Sequence, residues 1–334
     1  MSIQRKLIGA FAIIVIIVSV GARKSYAQAN YHDEMHKSAR SDKFTGGRIE
    51  KTELEAGQPD IKITVNVPAF QLTLWQNGKE VKTYPIGVGQ KEFPLYIGMR
   101  EATEIIWNPA WIPPNSGWVH EHKGVAPGDV IKPGDPRNPL GKLKIPLGGG
   151  YLIHQAEKPT DLGHLVSHGC VRMLRADLYD LAEKIVAARE LPVSKKQIAR
   201  AKETHKTLAV NMDPPVPVDI NYDTQVVEGG RLHLYPDVYD HGDNTIEHLR
   251  AELQDSGIDA SQLDDETLGQ MIARVSRSEE YVVSLRSIAE GQALTDGETQ
   301  PIIWQATRKQ TTARKRRNAA ALQSQIEREK RSHK

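Results

Sequence analysis

The chain has 334 residues, 39% of them hydrophobic and 26% charged, which suits a globular protein with a sizeable core and excludes a low-complexity or collagen-like chain. Its 44 basic and 42 acidic side chains nearly cancel, so the fold as a whole lacks the charge pattern of a nucleic-acid binder. A single cysteine, Cys170, makes any disulfide within the chain impossible.

The first residues read as an export signal. Arg5 and Lys6 precede the apolar run Leu7 to Ala22, and Ala27-Gln28-Ala29 offers a small-x-small cleavage site before Asn30. The run is shorter than the ~20 residues a membrane span needs, which favours a cleaved signal over residues 1–29. Arg23 and Lys24 directly after it keep an uncleaved inner-membrane anchor as the alternative. Either way the body of the protein is expected outside the cytoplasmic membrane. That body is acidic, because the segment 305–334 alone carries ten Lys or Arg against two Glu.

Residues 30–60 are polar, contain Gly46-Gly47 and read as a linker. Strands begin at Ile61, where Ile61, Ile63, Val65 and Val67 alternate with polar neighbours as on a half-buried strand. Leu72 and Leu74 continue the period, and Asn77-Gly78 is the pair preferred in a type I′ hairpin turn. The return strand, Lys79 to Ile86, runs into Gly87-Val88-Gly89. Residues 107–150 hold eight prolines and many glycines, too loop-rich for a helix, and are expected to wall a cleft. Lys144–Leu147 and Tyr151–His154 read as short strands around Gly148-Gly149-Gly150.

Arg175–Ala188 is amphipathic, with Leu178, Leu181 and Ile185 on one face, and is the principal helix expected here. A charged helical run follows over Val193–Leu208, and Val218, Ile220 and Tyr222 alternate again. Leu232 and Leu234 after Gly229-Gly230 suggest a terminal hairpin able to complete the sheet. Asn244 with Glu247 looks like a capping box opening a helix with Ile246, Leu249 and Leu253 on one face. Leu268, Met271, Ile272 and Val275 mark another. Residues 224–304 are therefore expected to form a hairpin and a small helical appendage, and 305–334 a basic tail.

The chemistry concentrates in Ser167-His168-Gly169-Cys170-Val171-Arg172, preceded by His154 at the end of an apolar strand. A free cysteine is often a buried small hydrophobe, but flanking glycine and arginine point to a turn in an electropositive setting, where a thiolate nucleophile is favoured. His154 is the natural base, and the backbone carbonyl of Gln155 is a candidate to orient its ring. The amides of Gly169 and Cys170 are candidate oxyanion donors, and the fork of Arg172 suits a substrate carboxylate. His168 either shapes the pocket or supports the loop, and His164 reads as a surface residue. His154, His164, His168 and Cys170 match no usual zinc spacing, so neither a metal nor another cofactor is expected.

The run His154-x12-Ser167-His168-Gly169-Cys170-Val171-Arg172 resembles the signature of the L,D-transpeptidases, the YkuD-type catalytic domain, as found in the periplasm of Gram-negative bacteria. Tyr84-Pro85-Ile86-Gly87-Val88-Gly89 and Asn138-Pro139-Leu140-Gly141 agree with it, and the similarity covers roughly Ile61–Tyr222, giving a catalytic domain over 61–223. The resemblance implies a mainly β, sandwich-like catalytic domain with one principal helix. It implies that Cys170 attacks the bond between the L-centre of diaminopimelate and the terminal D-Ala of a peptidoglycan stem. D-Ala leaves, a thioester forms, and an amine then takes the acyl group. That amine belongs either to a second stem, giving a 3→3 crosslink, or to a lysine of an outer-membrane protein. Water in its place gives an L,D-carboxypeptidase.

By the same resemblance His154 is the base, Arg172, Ser167 and His168 face substrate, and the amides at 169 and 170 bind the oxyanion. One position departs from the pattern: many members have glycine where this chain has Gln155. A non-catalytic wall-binding module that kept the fold is the reading from a different class. For the basic tail, attachment to anionic envelope polymers stands against a solvated segment with no partner.

Overall fold

A computed structural model describes residues 61–302. The export segment, the linker and the basic tail expected from sequence lie outside these described residues.

Strand β1 (Ile61–Asn66) alternates buried and half-buried side chains as its sequence requires, and it pairs antiparallel with β2 (Gln71–Gln76). Asn77 and Gly78 both have positive φ, 51° and 71°, the condition for a type I′ turn into β3 (Lys79–Pro85). The chain continues through the two-residue β4 (Val88–Gly89) and the long β5 (Gly98–Trp107). After the loop come β6 (Leu143–Pro146), β7 (Leu152–Gln155), β8 (Leu165–Ser167) and β9 (Val171–Met173). Helix α1 (Arg175–Ala188) and helix α2 (Lys195–Glu203) precede β10 (Leu208–Asn221).

Hydrogen bonding runs through eight strands in the order β3-β2-β1-β10-β5-β6-β7-β9, while β4 and β8 form a separate parallel pair. The fold is mainly β, as expected. The late strand β10 enters the middle of the sheet, parallel to β1 and antiparallel to β5. Its register shifts between Asn211 and Val216, across Pro214 and Pro215, which have no amide proton to give the ladder. Leu208, expected in the second helical run, instead opens this strand, because the helix stops at Glu203. Leu178, Leu181 and Ile185 of α1 are buried in the main core with Trp107, Tyr84 and Phe70. Each such buried side chain contributes about 1.5–3 kcal/mol of transfer free energy.

The loop between β5 and β6 has its own apolar cluster, in which Trp111, Val119, Ile131 and Leu140 are buried with Trp118 packed against them. Beyond Tyr222 lies a second core. Strands β11 (Gln225–Glu228), β12 (Arg231–Leu234), β13 (Glu279–Ser284) and β14 (Glu298–Pro301) form a four-stranded antiparallel sheet. Helices α3 (Ile246–Asp255), α4 (Asp265–Ala273), α5 (Leu285–Ala289) and α6 (Ala293–Asp296) accompany it. Leu232, Leu234, Leu249, Leu253, Leu268 and Tyr281 share this core. The hairpin β11–β12 thus does not complete the first sheet: its outer partner is β13, whose apolar Tyr281-Val282-Val283 offers a better-matched edge. The cap of α3 also differs from expectation. Thr245 is the N-cap, accepting from the His248 amide, while the Asn244 amide group donates to the Tyr235 carbonyl at 2.8 Å.

Candidate active site

Strands β7 and β9 are parallel neighbours, with His154 opposite Arg172 in register. Cys170 immediately precedes β9, so its position is set by the edge of the sheet on one side and by the turn 168–169 on the other. His154, Ser167, His168, Cys170 and Arg172 all line one cleft of about 860 Å³. These five sequence-predicted residues therefore converge, in differing environments.

His154 is 4% exposed, and its Nδ1 lies 3.0 Å from the Gln155 carbonyl oxygen. A carbonyl only accepts, so Nδ1 carries the proton and Nε2 is left with its lone pair. Burial, reinforced by the nearby Arg172 charge, pulls the imidazole down to about 3, so the ring is neutral at neutral pH. The Gln155 side chain serves elsewhere: its Oε1 accepts from the Lys142 amide at 3.1 Å.

Cys170 is half-buried and free. Burial pushes its thiol up, while a backbone hydrogen bond from Leu152 and the charge of Arg172 act more weakly in the opposite direction. The resting pair is thus a neutral thiol and a neutral imidazole. Gly169 has φ +105°, and a Cβ there would meet the Tyr151 ring at 2.8 Å, so glycine is required on both counts. Tyr151 is itself set edge-on against Tyr96 and lies under the Arg100 guanidinium, 5.0 Å from the ring centroid.

Ser167 was expected to face substrate. It is buried, and its hydroxyl donates to the Cys170 carbonyl at 2.6 Å, bracing the turn. Arg172 was expected to turn its fork to a substrate carboxylate. Its Nη1 meets Asp161 Oδ2 at 3.2 Å and its Nη2 meets Glu157 Oε1 at 3.2 Å. The Asp161 side chain is 2% exposed and also accepts from the Glu157 amide at 3.0 Å, so that half of the fork is fixed. Glu157 is exposed, and a substrate carboxylate would have to displace it. His168 stacks on Trp118 with centroids 4.3 Å apart and the rings 7° from parallel, and Phe93 meets it edge-on at 4.8 Å. His164 is exposed.

Sequence reasoning missed Asp161, Glu157, Trp118, Phe93 and Tyr151. None stands in the motif, and each reaches the cleft through chain folding. The segment 87–95 supports the motif: the Gln90 amide donates to the Ser167 carbonyl at 2.9 Å. At Gly89 a Cβ would fall 2.1 Å from the Phe93 carbonyl and 2.9 Å from Gly169 Cα, so only glycine allows this approach. Tyr239, from beyond the first sheet, closes the same segment. Its hydroxyl donates to the Gly89 carbonyl at 3.0 Å and accepts from the Leu95 amide at 3.1 Å.

A glycine-adjacent thiol and a buried imidazole thus line one cleft at the edge of a β sheet, the residue types that a thiol nucleophile and its base require. Residues 60–218 match the family model of YkuD, the L,D-transpeptidase catalytic domain. The chain is similar to Probable L,D-transpeptidase YbiS of Escherichia coli (strain K12), 29% identical over 126 residues, covering 37% of this chain and 41% of the relative. It is also similar to Probable L,D-transpeptidase YcfS of the same strain, 27% identical over 172 residues, covering 49% of this chain and 53% of the relative. The matches therefore span about two fifths to one half of these relatives' own length. Among solved structures, the catalytic domain of an E. faecium L,D-transpeptidase overlaps with a TM-score of 0.31 at 17% identity, covering 48% of this chain and 97% of that one.

Proposed function

We propose that the protein is a peptidoglycan L,D-transpeptidase that uses Cys170 as nucleophile. The observation that carries the reading is a free thiol and a neutral imidazole on the walls of one cleft, with the imidazole proton fixed on Nδ1 by the Gln155 carbonyl. Nε2 of His154 takes the thiol proton as sulfur adds to the carbonyl carbon between the L-centre of diaminopimelate and D-Ala. The backbone amides of Gly169 and Cys170 are the candidate donors to the developing oxyanion. The protonated imidazole then gives its proton to the departing nitrogen, D-Ala leaves as an amine, and the acyl group remains on sulfur as a thioester. The acceptor amine, losing its proton to His154, attacks the thioester and restores the thiol.

In this reading Ser167 and the Asp161–Arg172 pair hold the loop, and His168 on Trp118 and Phe93 forms a wall for the substrate. The acceptor is the amine of a second stem or a lysine of an outer-membrane protein, and the reaction takes place in the periplasm after export by residues 1–29. Support for the location comes from the apolar run and cleavage pattern at the start of the chain. Incubation with a purified disaccharide-tetrapeptide, followed by mass spectrometry, is the test. Dimers joined 3→3, absent with Cys170→Ala, are expected. Tripeptide without dimer would make the protein a carboxypeptidase, or an enzyme needing a protein lysine, and no turnover would leave the wall-binding module.

A further inference from the structure

A second cleft, of about 460 Å³, is lined by residues of the loop that leads into the cysteine motif. It is large enough for a small ligand or a segment of a peptide. Lys158, Asp161, Leu165 and Val166 line both clefts, so one short stretch of chain forms a common wall. The opposite wall comes from outside the family match: Pro236 to Asp240 follow β12, and Arg277 stands before β13.

Three cations, Lys91, Lys158 and Arg277, and three carboxylates line this cleft, so its formal charges cancel, but they are not paired one to one. Three carboxylates face it, and each is already engaged. Asp161 holds Arg172, Asp237 accepts from the Tyr222 hydroxyl and from the His241 and Gly242 amides, and Asp240 pairs with Lys91. Lys158 and Arg277 face the same space with no carboxylate partner among the described residues, and both are exposed. His164 adds a polar edge: its Nδ1 donates to the Leu162 carbonyl at 2.9 Å, which leaves Nε2 without a partner among the described residues. Two unpaired cations in a concave site, one from each core, attract an anion, and the guanidinium suits a carboxylate in a bidentate contact.

We propose that this cleft is a second binding site, taking a carboxylate-bearing part of a peptide ligand remote from the bond that reacts at Cys170, with Arg277 as its principal anchor. The peptide identity rests on the peptidoglycan reading above, whereas the anion site itself does not. Because Lys158 and Asp161 face both clefts, occupancy of the second is adjacent to the ion pair that holds Arg172.

The test has two arms, both on the full chain. In the first, the imidazole resonances of His164 are followed by NMR during titration with glutarate, and with inorganic phosphate as a second probe. Saturable shifts with glutarate are expected in the native protein and should disappear in Arg277→Glu. Their absence from the native protein overturns the site, whatever the enzyme does, and saturation by phosphate alone overturns its assignment to a carboxylate. In the second arm, turnover of the disaccharide-tetrapeptide is compared between the native protein and Arg277→Glu. A rise in KM of about tenfold is expected, with kcat and the rate of Cys170 alkylation by iodoacetamide unchanged. Glutarate binding with no turnover in either protein supports the anion site and sinks the peptidoglycan reading. Binding and turnover with an unaltered KM overturn the assignment of the site to the substrate peptide.

Discussion

The protonation state of the resting site sets a sharp expectation for its reactivity. Lowering the His154 midpoint from its ordinary 6.5 to about 3 corresponds to roughly 5 kcal/mol in favour of the neutral ring, at about 1.4 kcal/mol per tenfold. At pH 7 that leaves on the order of one imidazolium in 10,000, while burial also holds the Cys170 proton in place. A standing thiolate–imidazolium pair would require both shifts to be reversed. The assay is the rate of alkylation of Cys170 by iodoacetamide between pH 4 and 10, read by intact mass without substrate. The rate should rise monotonically toward a single midpoint above that of an ordinary thiol, and His154→Gln should change it little below pH 8. A plateau between pH 5 and 8 that vanishes in His154→Gln would refute the reasoning, since it is the mark of a preformed ion pair.

The same burial links folding to pH. The unfolded chain protonates His154 near 6.5 and the folded chain only near 3, so stability is full above 6.5 and falls as pH drops through that window. Urea titrations at pH 7 and pH 4.5 should show the loss, smaller in His154→Gln. Gly169→Ala places a methyl against the Tyr151 ring at a φ few residues adopt. A loss of roughly 1–3 kcal/mol is expected by urea unfolding, with the positive φ still opposing alanine when Tyr151 is also shortened. Asp161→Asn leaves Arg172 half-buried with one of its two carboxylates gone. A cost of roughly 3 kcal/mol is expected from chemical denaturation, and an unchanged midpoint would show that the pair is only a surface contact. In the second core, Leu249→Ala should cost about 2–5 kcal/mol, measured as accelerated hydrogen exchange over β11–β14.

Much of the local structure could be read along the chain. Strict alternation located β1, Asn77-Gly78 located its hairpin, and the spacing of Leu178, Leu181 and Ile185 located α1, because each is written in contiguous residues. What escaped depends on partners distant in sequence. The length of β10 was hidden by Pro214, Pro215 and Pro217, which interrupt the pattern of a strand that its neighbours β1 and β5 nonetheless hold in place. The strand β13 was overlooked between two helices, and with it the second sheet. At the site, the residue types and their order showed which groups would gather, but not their occupation. That Ser167 spends its hydroxyl proton on a carbonyl, and Arg172 its fork on Asp161, follows from how the 157–167 loop closes, which no local pattern records.

The Tyr239 hydroxyl has a bearing on how this protein is divided. It bridges a carbonyl and an amide at the two ends of the 89–95 turn, the turn that lies against the cysteine loop. Yet Tyr239 stands beyond residue 218, where the likeness to the family ends. Homology and mechanical self-sufficiency therefore have different limits in this chain. Residues 60–218 moved on their own would leave behind the hydroxyl that holds both ends of the 89–95 turn.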